Sequence, residues 1–177
     1  MIIKVSFSTI CAGTIMLFGS GSCLAYNCQN EPVMIDISSQ SVSQALKLLT
    51  EQTDCPISID ASLENITSHD VKGTMTPPDA IVALARGTGL EGVTLRQGLG
   101  IGHYEQKAFQ AQADDVLRTV RQRVSERRLT NSQSKKIQDS MKSLMEGIKK
   151  NVREQGFLSA GEKASYQRTL EKVRALL

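Results

Sequence analysis

The chain has 177 residues, enough for one ordinary domain or two small ones, and 40% of them are hydrophobic. Aromatic residues make up only 4% and Trp is absent, which excludes a core built on large rings and leaves few stacking surfaces. The net charge of +3 combines an acidic half, residues 26–102, which has four Lys or Arg against nine Asp or Glu, with a basic half, residues 103–177, which has sixteen against nine.

This division of charge favours contact between the two halves or with two different partners. The plainer alternative is two solvated surfaces, because exposed charges contribute little to stability. We call residues 26–102 the N-terminal module and residues 103–177 the helical tail.

Residues 1–25 have the pattern of a secretory signal peptide. Lys4 is followed by an apolar stretch and then by Cys23-Leu24-Ala25, which predicts cleavage after Ala25. The alternative is a lipoprotein signal in which Cys23 is lipidated, although Ser20 lies where such signals usually have an apolar residue. We therefore expect a periplasmic protein, with attachment to the outer membrane under the lipoprotein alternative.

Export changes the interpretation of the cysteines. Cys28 and Cys55 remain after cleavage and enter an oxidising compartment, where two cysteines most often form one disulfide. Each cysteine precedes a predicted strand, so neighbouring strands would bring the two thiols together. The pair lacks the CxxC spacing of a redox-active site.

The N-terminal module opens with a strand, a helix and a second strand. Met34–Ile37 alternates as a half-buried strand does. Ser41 is a helix cap with Gln44 three positions later, and the following apolar residues recur at helical spacing until about Asp54. The second strand is Ile57–Ile59.

The strand–helix–strand order is then repeated in the second part of the module. A strand is predicted at Val71–Met75, and Thr76-Pro77-Pro78-Asp79 begins a helix that ends at Gly87 and Gly89. Val93–Leu95 and Leu99–Ile101 are predicted to form a hairpin across Gln97-Gly98.

These two phrases, IDISSQSVSQALKLLTEQTDCPISID and VKGTMTPPDAIVALARGTGLEGVTL, resemble the secretin and TonB N-terminus short domain. The resemblance extends over residues 33–102. The matching positions are Ile35, Ile37, Gln40, Ser41, Ala45, Leu46, Leu49, Gln52, Thr53, Ile57, Gly73, Ala80, Leu84, Gly87, Thr88, Gly89 and Leu90.

The resemblance implies a small βαβ-βαβ type domain in the periplasm of a Gram-negative cell. In that family the domain serves protein–protein contact in outer-membrane secretins and TonB-dependent receptors, in some receptors by meeting an anti-sigma regulator. In this sequence the domain continues into a helical tail, so we expect a free-standing periplasmic copy of it.

Three apolar stripes predict about three helices in the tail. They run from Phe109 to Val124, from Ile137 to Val152 and from Tyr166 to Leu177. Between them, Thr130 precedes Gln133 and Ser159 precedes Glu162, as in capping boxes, in a phrase that recurs about 29 residues apart. The predicted fold class is therefore α+β: the short domain followed by an all-α antiparallel tail.

The candidate partner-binding residues form two sets. The first is the edge of the second strand, at Ile57, Ile59 and Asp60, because an unpaired strand edge can accept a further strand. The second is a basic cluster at Arg121, Arg123, Arg127 and Arg128. Export and the scarcity of aromatics argue against nucleic acid, which leaves an acidic protein or anionic lipid headgroups as partners of the cluster.

No catalytic or metal-binding motif is visible. His69 and His103 are far apart and lack metal-ligand spacing, and Gly98–Gly102 lacks the context of a dinucleotide site. The scattered Glu residues are interpreted as surface charge. We therefore expect no cofactor and no enzymatic activity, and predict an interaction module of secretin-type secretion or TonB-linked transport and signalling. The alternative is an envelope protein that binds peptidoglycan or anionic lipid through its tail.

Overall fold

The computed structural model describes Cys28 and residues 30–177. The predicted signal peptide, residues 1–25, lies outside the described residues. Within them the order of elements is β1 (Val33–Ile37), α1 (Val42–Thr53), β2 (Ile57–Asp60), β3 (Val71–Met75), α2 (Pro77–Ala85), β4 (Glu91–Leu95), β5 (Gly98–Gly102), α3 (Tyr104–Ser125), α4 (Asn131–Gln155) and α5 (Ala160–Arg174). The α+β class predicted from the sequence is confirmed.

The five strands form two small sheets. β1 pairs with β3 in antiparallel orientation, and β5 lies between β2, which is parallel to it, and β4, which is antiparallel. Each of the two strand–helix–strand phrases therefore contributes one strand to each sheet. The two strands of one phrase do not pair with each other: β1 pairs with β3, and β2 and β4 both pair with β5.

The core of the N-terminal module lies between these sheets and helices α1 and α2. The apolar faces predicted for the helices are buried, Ala45 and Leu49 on α1 and Ile81 and Leu84 on α2. Ser41 and Thr76 accept hydrogen bonds from the backbone N–H groups of the first turns and fix where the helices begin.

The β4–β5 hairpin is longer than predicted. β4 begins at Glu91 rather than Val93, and the turn is Arg96-Gln97, so Gly98 belongs to β5. β5 alternates Gly with Leu99 and Ile101, which are fully buried on one face. The glycines on the other face leave room for α3, because a Cβ at Gly100 would lie 2.7 Å from the hydroxyl oxygen of Tyr104.

The tail forms the three predicted helices around a second apolar core. Both predicted capping boxes are present, Thr130 with Gln133 and Ser159 with Glu162. Burial acts to raise the pKa of Glu162, but hydrogen bonds from Ser159 and Gln155 outweigh it and hold the pKa below its ordinary value. None of the described helices is both long and apolar enough to cross a membrane.

The predicted disulfide between Cys28 and Cys55 is present, with the two Cα atoms 5.1 Å apart. The two thiols do not meet through neighbouring strands, as the sequence argument supposed, because β1 and β2 belong to different sheets. Cys55 is fully buried next to the start of β2, so the bond attaches the segment before β1 to the core.

Candidate docking surface

Within the described residues, no strand pairs with the outer edge of β2. The backbone N–H of Leu99 donates to the carbonyl of Pro56, which places residues 56, 58 and 60 in the ladder with β5. In a parallel ladder the alternate residues face away, so Ile57 and Ile59 direct their backbone N–H and C=O groups outward. The Ile59 side chain is 54% exposed, so this edge combines free hydrogen-bonding groups with apolar surface.

The edge of β4, at the other side of the same sheet, is covered by the tail at Gly92. The N–H of Gly92 donates to the carbonyl of Gly156 at 2.8 Å, and the N–H of Gly87 donates to the carbonyl of Arg153 at 2.7 Å. The last turn of α4 thus supplies acceptors to the N-terminal module.

The two-stranded sheet has edges that are interrupted. On β1, the side chain of Gln52 both accepts from the N–H of Asp36 and donates to its carbonyl, each at 3.1 Å. On β3, Lys72 is exposed and Gly73 has φ +128°, which breaks the extended backbone. The β2 edge therefore has the most regular unpaired backbone together with an exposed apolar side chain.

The first turn of α3 lies against the end of β2. The ammonium of Lys107 is 2.6 Å from a carboxylate oxygen of Asp60 and donates to the Asp60 carbonyl at 3.2 Å. The Tyr104 hydroxyl donates to the carbonyl of Ser58 at 3.5 Å, and burial, followed by the Asp60 carboxylate, raises the pKa of Tyr104. Of the three strand residues predicted as contacts, Asp60 is thus bound within the chain. The Ile57 side chain packs partly against the core, and Ile59 is exposed.

A buried carboxylate joins the two halves, which sequence reasoning did not find. Glu91 is completely buried, and its two oxygens accept the backbone N–H groups of Glu105 at 2.6 Å and Gln106 at 2.9 Å. It therefore satisfies the first turn of α3, whose N-cap residue His103 makes no side-chain capping bond. The interpretation of the scattered Glu residues as surface charge is wrong for Glu91.

The predicted basic cluster lies at the opposite end of α3, about 33 Å from its first turn at the helical rise per residue. Arg121 is exposed between α3 and α4, and Arg123, Arg127 and Arg128 surround the α3–α4 turn. Arg128 pairs with Glu126 at 3.8 Å, whereas the other three form no ion pair with any described residue. The structure therefore does not bring the two predicted sets of contact residues together.

Arg127 has a left-handed backbone, with φ +57°, at the position that corresponds to Gly156 in the repeated phrase. An L side chain costs about 1 kcal/mol there, whereas glycine adopts this conformation freely. We expect Arg127→Gly to raise the free energy of unfolding by about 1 kcal/mol in urea denaturation. Arg128→Gly, at ordinary φ, is the control and is expected to lower it by up to about 0.5 kcal/mol. Equal losses in both variants would contradict a strained backbone at Arg127.

Within residues 30–177 together with Cys28, no group of three or more His, Cys, Asp or Glu side chains is placed to hold a metal ion. The absence of a cofactor and of enzymatic activity stays a prediction.

No family model matches the chain, and no curated protein matches it. Among solved structures, the chain is similar to the ferripyoverdine receptor of the outer membrane of Pseudomonas aeruginosa bound to ferripyoverdine, with 29% identity and a TM-score of 0.38. It is also similar to P. aeruginosa FpvA bound to heterologous pyoverdines, with 29% identity and a TM-score of 0.39. Each match covers 41% of this chain and 10% of the receptor chain.

Proposed function

We propose that this chain is a non-enzymatic protein–protein interaction module of the periplasm that serves outer-membrane secretion or TonB-linked transport and signalling. The observation that carries the proposal is the contrast between two edges of one sheet. The tail covers the β4 edge at Gly92 through Gly156, whereas no described residue bonds to the outward backbone groups of Ile57 and Ile59 on β2. Supporting it is the resemblance of residues 33–102 to a short domain that serves protein contact.

The proposed mode of docking is addition of a partner strand to β2. Main-chain hydrogen bonds to the outward groups of Ile57 and Ile59 supply affinity, and the exposed Ile59 side chain supplies a contact for specificity. The partner is a cell-envelope protein of the class that the resemblance implies: a secretin, a TonB-dependent receptor or an anti-sigma regulator.

Ile59→Pro tests this mode because proline removes the outward N–H, while the ladder with β5 uses residues 56, 58 and 60. A tagged copy is crosslinked in living cells, and the attached proteins are identified by mass spectrometry. We expect the wild-type chain to recover an envelope protein of one of these three kinds. We expect Ile59→Pro to recover at least about tenfold less of it, because the lost hydrogen bond and the steric block together reduce the binding free energy by more than about 1.4 kcal/mol.

Ile59→Val is the matched control, because it keeps the N–H and an apolar β-branched side chain, and it is expected to recover the partner. Thermal unfolding of both variants shows that the fold is kept. Equal recovery by Ile59→Pro and wild type would refute docking through β2. Recovery of wall or lipid fragments alone would move the function to the tail.

A further inference from the structure

Helices α3 and α4 have one covered face and one open face. α5 packs on the covered side, where Tyr166 meets Phe109 edge to face at 5.9 Å and accepts a hydrogen bond from Asn151 at 3.0 Å. On the opposite side no described element lies over the two helices, and a groove runs between them.

Two cavities lie along this groove. One, of about 260 Å³, is next to the N-terminal module and is lined by His103, Gln106, Lys107, Gln110, Met145 and Lys149. The other, of about 480 Å³, is towards the α3–α4 turn and is lined by Leu117, Arg121, Gln138, Asp139 and Lys142. The lining residues recur every three or four positions on both antiparallel helices, so the two cavities belong to one continuous face.

The groove combines an apolar floor with basic walls. Leu117 and Met145 are half-buried and form apolar parts of the floor. The cationic side chains at its walls are Lys107, Arg121, Lys142 and Lys149, and the acidic ones are Asp114 and Asp139.

Three of these six charges have ion-pair partners within the chain, and three do not. Lys107 pairs with Asp60, Lys142 with Glu146 at 3.9 Å, and Asp139 with Lys135 at 3.3 Å. Asp114 accepts a hydrogen bond from Gln110, which is neutral and leaves the charge of Asp114 to be set against the two unpaired cations. Arg121 and Lys149 form no ion pair with any described residue, and one stands at each cavity. The unneutralised charge of the groove is therefore positive.

We infer that the α3–α4 groove is a docking site for an acidic amphipathic helix of the partner protein. Between Lys107 and Arg121 the groove extends about 21 Å, the length of about four helical turns. Such a helix places its apolar stripe on Leu117 and Met145 and its carboxylates at Arg121 and Lys149, and so adds a fourth helix to the bundle. The inference deepens the proposed function, on which it rests, by naming the chemistry of the partner.

Lys107 connects this groove to the strand edge. Its ammonium binds Asp60 at the end of β2, and its side chain lines the nearer cavity. A partner segment that leaves β2 at Ile59 thus meets the entrance of the groove directly. One partner with an extended segment and an acidic helix occupies both.

The test uses a displayed library of 18-residue peptides with a fixed apolar helical stripe and randomised remaining positions, selected on the purified full chain with its disulfide formed. We expect the selected peptides to be acidic. We expect Arg121→Glu and Lys149→Glu each to weaken their binding about five- to tenfold, and the double variant to weaken it further, as measured by fluorescence anisotropy. Circular dichroism confirms that each variant is folded.

Lys172→Glu is the matched control, because Lys172 is exposed on α5 away from the groove and carries the same charge change. Binding is expected to be unchanged in it. Selection of neutral or basic peptides, failure to select any, or equal binding by the groove variants and wild type would overturn the inference. Loss of binding to phosphatidylglycerol vesicles in these variants without a selected peptide would assign the charges to lipid and overturn it too.

The two proposals fail separately. Ile59→Pro leaves the groove intact, so peptide binding persists in this variant even if strand addition is wrong. If the groove variants bind peptide normally while Ile59→Pro loses its cellular partner, only the inference about the groove fails.

Discussion

Gly156→Ala is expected to destabilise the protein by about 2–4 kcal/mol, the sum of two independent costs. Gly156 has φ +79°, which favours glycine, and a Cβ there would lie 2.5 Å from the carbonyl oxygen of Val82 and 3.0 Å from the N atom of Arg86. Both contacts are backbone of the α2 region, which cannot move aside as a flexible side chain can. Displacement of the backbone at residue 156 to relieve these contacts also weakens the hydrogen bond from Gly92 to Gly156, which covers the β4 edge there.

Urea denaturation measures this loss, and Gly161→Ala is the matched control. A Cβ at Gly161 meets nothing within 4 Å, and the residue lies in the first turn of α5. Because alanine favours helix over glycine, the control is expected to be neutral or to gain up to about 1 kcal/mol. A loss in Gly156→Ala no greater than that in Gly161→Ala would mean that α4 does not pack on the N-terminal module.

Glu91→Ala is expected to cost about 3 kcal/mol, because two buried hydrogen bonds to a carboxylate are lost. The N–H groups of Glu105 and Gln106 then have no acceptor in the first turn of α3. Amide hydrogen exchange at these two positions is expected to accelerate more than elsewhere in the tail. Glu91→Gln keeps the shape and one oxygen acceptor, so its loss is expected to be about half as large.

The control for Glu91 is Glu154→Ala. Glu154 is exposed and pairs with Lys150 at 4.0 Å, so its loss is expected to be less than about 0.5 kcal/mol. Similar losses in Glu91→Ala and Glu154→Ala would contradict the role of the buried carboxylate.

Substitutions at these two residues are expected to cause the largest losses of stability, and both residues lie at the junction between the N-terminal module and the helical tail. Glu91 holds the start of α3, and Gly156 holds the end of α4. The tail is thereby fixed relative to the β2 edge, so the proposed partner would meet the strand edge and the groove in a defined geometry.

Local sequence patterns determined most of the elements of this fold. Ser41, Thr76, Thr130 and Ser159 begin their helices where the sequence predicted, because a cap depends on residues within one turn of it. The apolar stripes likewise predicted which faces are buried, since helical and strand periodicity is a local property.

Strand pairing was not determined by such patterns. Apart from the terminal hairpin, the two strand–helix–strand phrases did not specify which strands pair, and the structure pairs β1 with β3 and β2 with β5. Alternation specifies which side of a strand is buried, and says nothing about which strand lies beside it. For the same reason the sequence predicted the Cys28–Cys55 disulfide and not the route by which the two residues meet.

The sequence by itself thus determined the α+β class, the helices and their caps, whereas the two sets of contact residues stay a prediction. Only the tertiary structure decided that the tail covers the β4 edge at Gly92, that no described strand pairs with the outer edge of β2, and that Glu91 is buried beneath α3. The physical reason is sequence range. Caps and periodicity act over a few residues, but the junction joins groups from 14 (Glu91 and Glu105) to 66 (Gly87 and Arg153) positions apart, whose approach depends on how the whole chain packs.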